Sequence, residues 1–288
     1  MTRVIAVAVN GAESDLAALS WTSGAARAGD VVHVVHPYSL LSFAECSWRP
    51  AVSANDARRE YARHVVAMST QVVRERNHAV VVDGSAVVGR ALPVLADMST
   101  IVDLLVVAAD ARDQGTCLAP AVARRTACPV VIVPASRPAA DARPVGLLVE
   151  MHDLPATAVE FAFEEAARRG AELVVSEPVG TRPSGLPVCD DDISAWERVA
   201  DETLSADLAA WQEKYRAAGV LVEVRRESPS ATARLLERTC QLVVVPRGNA
   251  RANGPLGRLA RAALQRAACP VVVVPDARAP RSVTPSPA

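Results

Sequence analysis

Two short segments of this chain are near copies of each other. Residues 126–134 read TACPVVIVP and residues 267–275 read AACPVVVVP, so seven of nine positions agree. The copies start 141 residues apart, about half of the 288-residue length. A repeat period this long indicates a tandem pair of domains rather than a solenoid of short units. Each half is long enough to bury a hydrophobic core of its own.

The composition is that of a globular protein. Half of the residues are apolar, 22% are charged, and the formal net charge is −1. The charge balance therefore gives no reason to expect binding to nucleic acid or to an anionic membrane. The sequence contains no uninterrupted apolar run long enough to cross a bilayer and no recognisable signal peptide, so we expect a cytoplasmic protein.

Strands and helices are predicted to alternate in both halves. Short, continuous apolar runs such as LLVV (104–107) and LVVV (242–245) are typical of strands buried on both faces of a parallel sheet. Strands are predicted near 4–9, 31–35, 79–83, 103–108 and 129–133, and again near 145–150, 172–176, 221–225, 241–245 and 271–274. Helices are predicted near 14–27, 53–76, 87–97 and 118–126, and again near 155–169, 194–218, 230–238 and 256–267. This alternation predicts a doubly wound α/β sheet in each half.

The domain boundaries follow from composition. The first repeat is expected at 1–135, a Pro-containing linker at 136–144, the second repeat at 145–275, and a disordered tail at 276–288. The apolar fifth strands, 129–133 and 271–274, are expected to form the contact between the repeats as an intramolecular pseudo-dimer. A homodimer of the chain is left open.

Ligands of a doubly wound sheet bind beyond the carboxyl ends of the strands, where the strand order reverses. In the second half, the fourth strand is followed by a loop with Gly248, Gly257, Arg247 and Arg258. Glycine main-chain N–H groups and arginine side chains can bind an anion, although the same segment also reads as an ordinary basic connection. The corresponding first-half loop is three residues shorter and holds one glycine, Gly115.

No residue pattern indicates a catalytic or metal site. His33 and His36 are three apart on a predicted strand, so they are expected on opposite faces, which disfavours a shared metal. None of the six cysteines forms a C-x-x-C pair, and they are expected to serve as small hydrophobic residues.

The chain resembles tandem universal stress proteins. The opening VAVNGAESDLAALSW (7–21), the segment FAFEEAARRGAEL (161–173) and both A-C-P-V-V segments are similar to that family's first strand and helix and its fifth strand. The resemblance implies two five-stranded parallel sheets of order 3-2-1-4-5, Rossmann-like and similar to the adenine nucleotide alpha hydrolases.

The resemblance also identifies where the chain departs from nucleotide-binding members of the family. Those members carry G-x2-G-x9-G-[ST] after strand 4 and an Asp at the end of strand 1. Here Asn10 and Glu150 stand at the two Asp positions, Thr116-Cys117 and Gly257-Arg258 stand in place of Gly-[ST], and Pro246 replaces the first glycine of the second half.

Three functions follow from these residues. The first is a non-catalytic stress-response protein with degenerate nucleotide pockets, acting through protein partners. The second is an ATP- or AMP-binding protein, or a slow ATPase, that uses Glu150, Arg247, Gly248, Gly257 and Arg258 of the second repeat. The third, an enzyme of a related superfamily, ranks last because no general base or metal cluster supports it.

Overall fold

The computed structural model describes residues 2–41, 50–109, 118–135, 143–150, 154–178, 190–216, 219–225, 227–248, 254–265 and 268–276. They form two compact units, one within Met1–Arg137 and one within Pro138–Ala277. The predicted loop residues Gly115, Thr116 and Cys117, most of the linker and the tail from 277 onward lie outside the described residues.

Unit 1 is a five-stranded parallel sheet with alternating helices. In chain order its elements are β1 (Val4–Ala8), α1 (Asp15–Ala25), β2 (Val31–Tyr38), α2 (Pro50–Arg76), β3 (Val81–Val88), α3 (Ala91–Met98), β4 (Leu104–Ala109), α4 (Leu118–Arg125) and β5 (Val130–Pro134). The strand order within the unit is β3-β2-β1-β4-β5.

Unit 2 repeats this plan. Its elements are β6 (Val145–Leu148), α5 (Ala156–Arg169), β7 (Leu173–Pro178), α6 (Asp190–Lys214), β8 (Val220–Arg225), α7 (Pro229–Thr239), β9 (Leu242–Pro246), α8 (Arg258–Leu264) and β10 (Val271–Val274). The strand order is β8-β7-β6-β9-β10, again parallel throughout. Counted within each unit, both orders are 3-2-1-4-5, which confirms the predicted fold class.

The core of each unit lies on both faces of its sheet. Every residue of β6 and β9 is buried, as is every residue of β5 and β10. Helix α5 shows how the helices are fitted to the sheet. It buries Val159, Ala162, Phe163 and Ala166 along one side and ends at Gly170, whose φ of 60° is the left-handed conformation favoured by glycine.

Strand β3 differs most from the prediction. It runs to Val88, although the sequence analysis ends it at residue 83 and starts a helix at 87. Gly84 lies inside the strand, where a Cβ atom would come within 2.6 Å of Val66 Cγ1 in α2. Gly84 is therefore a place where helix α2 packs directly on the sheet.

Helices α6 and α8 also differ from their predicted bounds. Helix α6 begins at Asp190, four residues before the predicted start, and α8 is shorter than the predicted 256–267. No helix of the described residues is both long enough and apolar enough to cross a membrane. The predicted pairing of the two fifth strands stays a prediction.

Candidate functional site

The candidate site of unit 2 lies at the carboxyl ends of β6 and β9. These strands are hydrogen-bonded neighbours, and β6 also pairs with β7 on its other side. The chain therefore leaves β6 and β9 at the point where the strand order reverses, which is where open α/β sheets bind their ligands. Glu150 follows β6, and Arg247 and Gly248 follow β9.

The main chain after β9 is held by its own hydrogen bonds. The N–H of Arg247 donates to the C=O of Val274 at 2.7 Å, and the N–H of Gly257 donates to the C=O of Arg247 at 2.8 Å. Pro246 has no N–H to offer. The Gly257 N–H, which the sequence analysis assigns to an anion cradle, is thus directed at a carbonyl of the same loop.

Gly248 and Gly257 are required by a close approach of two backbone segments. Gly248 has a φ of 62°, and a Cβ atom on either glycine would lie 3.0 Å from the Cα of the other. Larger residues at these positions would force the segments apart. The two glycines therefore allow the segments on either side of the loop to lie in contact. This structural role explains their presence without a ligand.

Arg258 begins helix α8, and its side chain is directed at Glu150. Its Nε donates to Oε1 of Glu150 at 3.0 Å, with 58% of the Arg258 side chain and 37% of the Glu150 side chain exposed. The two positions at which the chain departs from the family pattern are therefore bound to each other. An ion pair this exposed contributes on the order of 0–1 kcal/mol.

A cavity of about 250 Å³ opens beside this ion pair. It combines one carboxylate, two guanidinium groups and several apolar side chains, and its lining residues are Glu150, Pro246, Gly248, Pro255, Leu256, Gly257, Arg258, Leu259 and Arg261. Four of the five predicted site residues are among them. Arg247 is not among them, and the lining includes a further arginine, Arg261, in the last turn of α8.

The corresponding cavity of unit 1 is smaller, about 80 Å³, and the side chains of Asn10 and Asp15 that line it are bonded to nearby main-chain N–H groups. The carboxylate of Asp15 accepts the N–H groups of Asn10 and Gly11, each at 2.8 Å. The Asn10 side chain in turn accepts the N–H of Ala12 at 2.8 Å. Burial raises the pKa of Asp15, against the opposing effect of these N–H donors.

Asp15 is a site residue that the sequence analysis missed. Its side chain is buried and lies on the cavity wall, where it takes the main-chain donors that follow β1. The available signal was an acidic residue in the first turn of α1, five positions after the strand-end Asn10. An internal carboxylate thus occupies the donors that an anionic ligand of unit 1 would need.

The described cysteines have the predicted structural role. Cys128, Cys240 and Cys269 are all buried. Burial raises the pKa of the Cys240 thiol to about 11 and that of Cys269 further still, so neither is a ready nucleophile. Among the residues that the structure describes, no three His, Cys, Asp or Glu side chains are grouped as metal ligands would be.

The fold and the strand-end cavities define a doubly wound α/β protein of the Rossmann-like class. The model of the universal stress protein family matches residues 143–275, nearly all of unit 2. A universal stress protein of Mycobacterium tuberculosis is 28% identical over 264 residues, covering 84% of this chain and 85% of its own length. A second, from Mycobacterium bovis, is 27% identical over 291 residues and covers 93% and 96%.

The solved structures agree on the fold. The crystal structure of a universal stress protein from Archaeoglobus fulgidus matches with a TM-score of 0.68 at 15% identity, over 95% of this chain and 96% of that one. Unit 2 therefore matches the universal stress protein family, and the chain as a whole is similar to universal stress proteins over 84% to 93% of its length.

Proposed function

We propose that this chain is a stress-response protein that acts through protein partners in the cytoplasm and does not use its strand-end cavities for nucleotide chemistry. The observation that carries the proposal is the Glu150–Arg258 ion pair at 3.0 Å in the unit 2 cavity. It neutralises the Arg258 guanidinium, which lines the cavity and would otherwise attract a nucleotide phosphate.

Three further features of the cavity support the same conclusion. Pro246 lacks an N–H, and the N–H of Gly257 is bonded to Arg247 at 2.8 Å. The cavity, at about 250 Å³, is below the roughly 300–1,000 Å³ usual for small-molecule sites. A phosphate would therefore meet a carboxylate and few main-chain donors, and like charges at close range repel.

The second candidate function is binding of ATP or AMP, with or without slow hydrolysis, in unit 2. The exposure of the Glu150–Arg258 ion pair favours this second function. An exposed ion pair contributes at most about 1 kcal/mol, so a competing anion can break it. Arg258 and Arg261 both line the cavity and could then contact phosphate oxygens.

Isothermal titration calorimetry of the full chain with millimolar Mg²⁺-ATP distinguishes the two candidates. The proposal expects no saturable heat, and mass spectrometry of denatured, freshly purified protein should release no adenine nucleotide. A saturable isotherm would establish the second candidate instead. In that case Arg258→Ala should weaken ATP binding about tenfold or more, the effect of losing an arginine–phosphate contact.

A further inference from the structure

Strands β2 and β3 bring His33 next to Asp83 and Ser85, which lie 50 and 52 positions later in the sequence. The strands are parallel, and their register places His33 directly opposite Asp83. Ser85 is two residues further along β3, so its side chain projects from the same face of the sheet as that of Asp83. This face belongs to the edge of the unit 1 sheet, and none of the three residues lines either strand-end cavity.

The three side chains form a continuous hydrogen-bonded chain. His33 Nδ1 lies 2.5 Å from Asp83 Oδ1, and His33 Nε2 lies 2.8 Å from Ser85 Oγ. An ionised carboxylate only accepts hydrogen bonds, so Nδ1 carries the proton, and in the neutral imidazole Nε2 is then the acceptor. The Ser85 hydroxyl then donates to Nε2. This is the order of contacts in which an imidazole acts as general base toward a serine, held in the right tautomer by an aspartate.

The group is open to reagents from solvent. The side chain of His33 is 22% exposed and that of Asp83 is 62% exposed. We propose that Ser85 is an activated nucleophile that accepts the acyl group of small carboxylic esters, which gives unit 1 an esterase activity. The proposal goes beyond the function proposed above and does not depend on the state of either strand-end cavity.

The reaction balances with water as the only co-reactant. Ser85 Oγ attacks the ester carbonyl carbon while its proton passes to His33 Nε2. The tetrahedral intermediate collapses, the C–O bond to the alcohol breaks, and the departing alcohol takes the proton from Nε2. Water then gives a proton to Nε2 and attacks the acyl-serine, and Ser85 Oγ leaves with that proton, so that ester and water become acid and alcohol.

The edge of β3 supplies a main-chain donor beside the nucleophile. The N–H of Val81 donates to the C=O of Asp30 at 3.1 Å, toward β2. Because donors alternate in direction along a strand, the N–H of Ala86 points to the outer edge of the sheet. Ala86 is the residue after Ser85, so its main-chain N–H is available to stabilise the oxyanion that forms during the attack.

Covalent labelling of the wild-type chain is the decisive experiment. The full-length protein is treated with a fluorophosphonate probe, digested, and mapped by mass spectrometry, and it is assayed in parallel with p-nitrophenyl acetate. We expect the label on Ser85. Ser85→Ala should abolish the label and the ester hydrolysis it supports, while Ser205→Ala, a partly exposed serine of α6, should change neither.

Variants of His33 and Asp83 show whether these residues assist the reaction of Ser85 or only stabilise the sheet. His33→Ala should lower the labelling rate of Ser85 about 100-fold, the usual contribution of a general base. Asp83 is a positioning residue, so Asp83→Asn should lower the rate and Asp83→Glu, which keeps the acceptor, should restore most of it. Denaturant midpoints measured on each variant confirm that the sheet is intact.

The proposal is overturned if the wild-type chain carries no label on Ser85, or if Ser85→Ala hydrolyses the ester as fast as wild type. In either case the three residues only tie the edge strand β3 to β2. Labelling of Ser85 is measured first on the wild-type chain. That result does not depend on whether any variant folds.

Discussion

Nε of Arg258 lies 3.0 Å from Oε1 of Glu150, and both residues line the unit 2 cavity. The two residues are 108 positions apart and meet only because β6 and β9 are neighbours in the sheet. At both positions the chain departs from the pattern of nucleotide-binding relatives. The two departures look independent in the sequence, but in the folded protein the two side chains form one ion pair.

Removing the carboxylate should make this cavity a better anion site. In Glu150→Gln the Arg258 guanidinium loses its charged partner, so affinity for inorganic phosphate should rise about tenfold, as a charge-assisted contact becomes available. Titration calorimetry at constant ionic strength measures it. Adding Arg258→Ala should abolish the gain. Glu223→Gln, which opens the ion pair with Arg225 elsewhere, is the matched control. Unchanged phosphate affinity in Glu150→Gln would contradict the prediction.

Glu237 should make the stability of the protein depend on pH. Burial raises its pKa from the usual 4.5 to about 7, against the opposing effect of the Ala268 N–H that its carboxylate accepts at 3.2 Å. Between these values the unfolded chain is ionised while the folded chain keeps the proton. The free energy of unfolding therefore falls as pH rises through this window, by up to about 3 kcal/mol, and levels off above it.

Denaturant unfolding between pH 4.5 and 8 tests the role of Glu237. Glu237→Gln stays neutral at every pH, so the difference in unfolding free energy between wild type and variant should change across the window. The exposed Glu227→Gln should run parallel to wild type. Parallel curves for wild type and Glu237→Gln would show that the Glu237 carboxyl ionises alike in the folded and unfolded chains.

Two glycines should respond to alanine in opposite directions. In Gly84→Ala the new methyl would lie 2.6 Å from Val66 Cγ1 and 3.0 Å from the Val34 carbonyl oxygen, so we expect a loss of about 1–3 kcal/mol of unfolding free energy. Gly24, in α1, has open space around it, and Gly24→Ala should stabilise by about 0.5–1 kcal/mol. Chemical denaturation compares them. A neutral Gly84→Ala would mean that α2 can move away from the sheet at little cost.

Asp15 should be important for the stability of unit 1. Asp15→Ala leaves the N–H groups of Asn10 and Gly11 without the acceptor they now share at 2.8 Å, at a cost of about 1–3 kcal/mol. The exposed neighbour Glu13→Ala should cost little. Thermal and denaturant unfolding of both variants measure the difference. Equal stability of the two would show that water replaces the carboxylate.

The fold class could be predicted from the sequence because its determinants are local or repeated. Continuous apolar runs require burial on both faces, and alternation with helices requires parallel strands, as β4 and β9 confirm. The sequence repeat indicated that both halves of the chain have the same fold. Strand β3 was predicted too short, and it runs on through Gly84 to Val88 because a glycine in a strand allows the close approach of α2.

The site was predictable only in part. The strand-end positions of Glu150, Gly248, Gly257 and Arg258 follow from topology, which the sequence alone determined. Which groups those side chains and N–H donors are bonded to was decided by the tertiary structure. The pairing of Glu150 with Arg258, and the chain from Asp83 through His33 to Ser85, depend on strand neighbours and register. Register is set by packing between distant segments, and no local pattern records it.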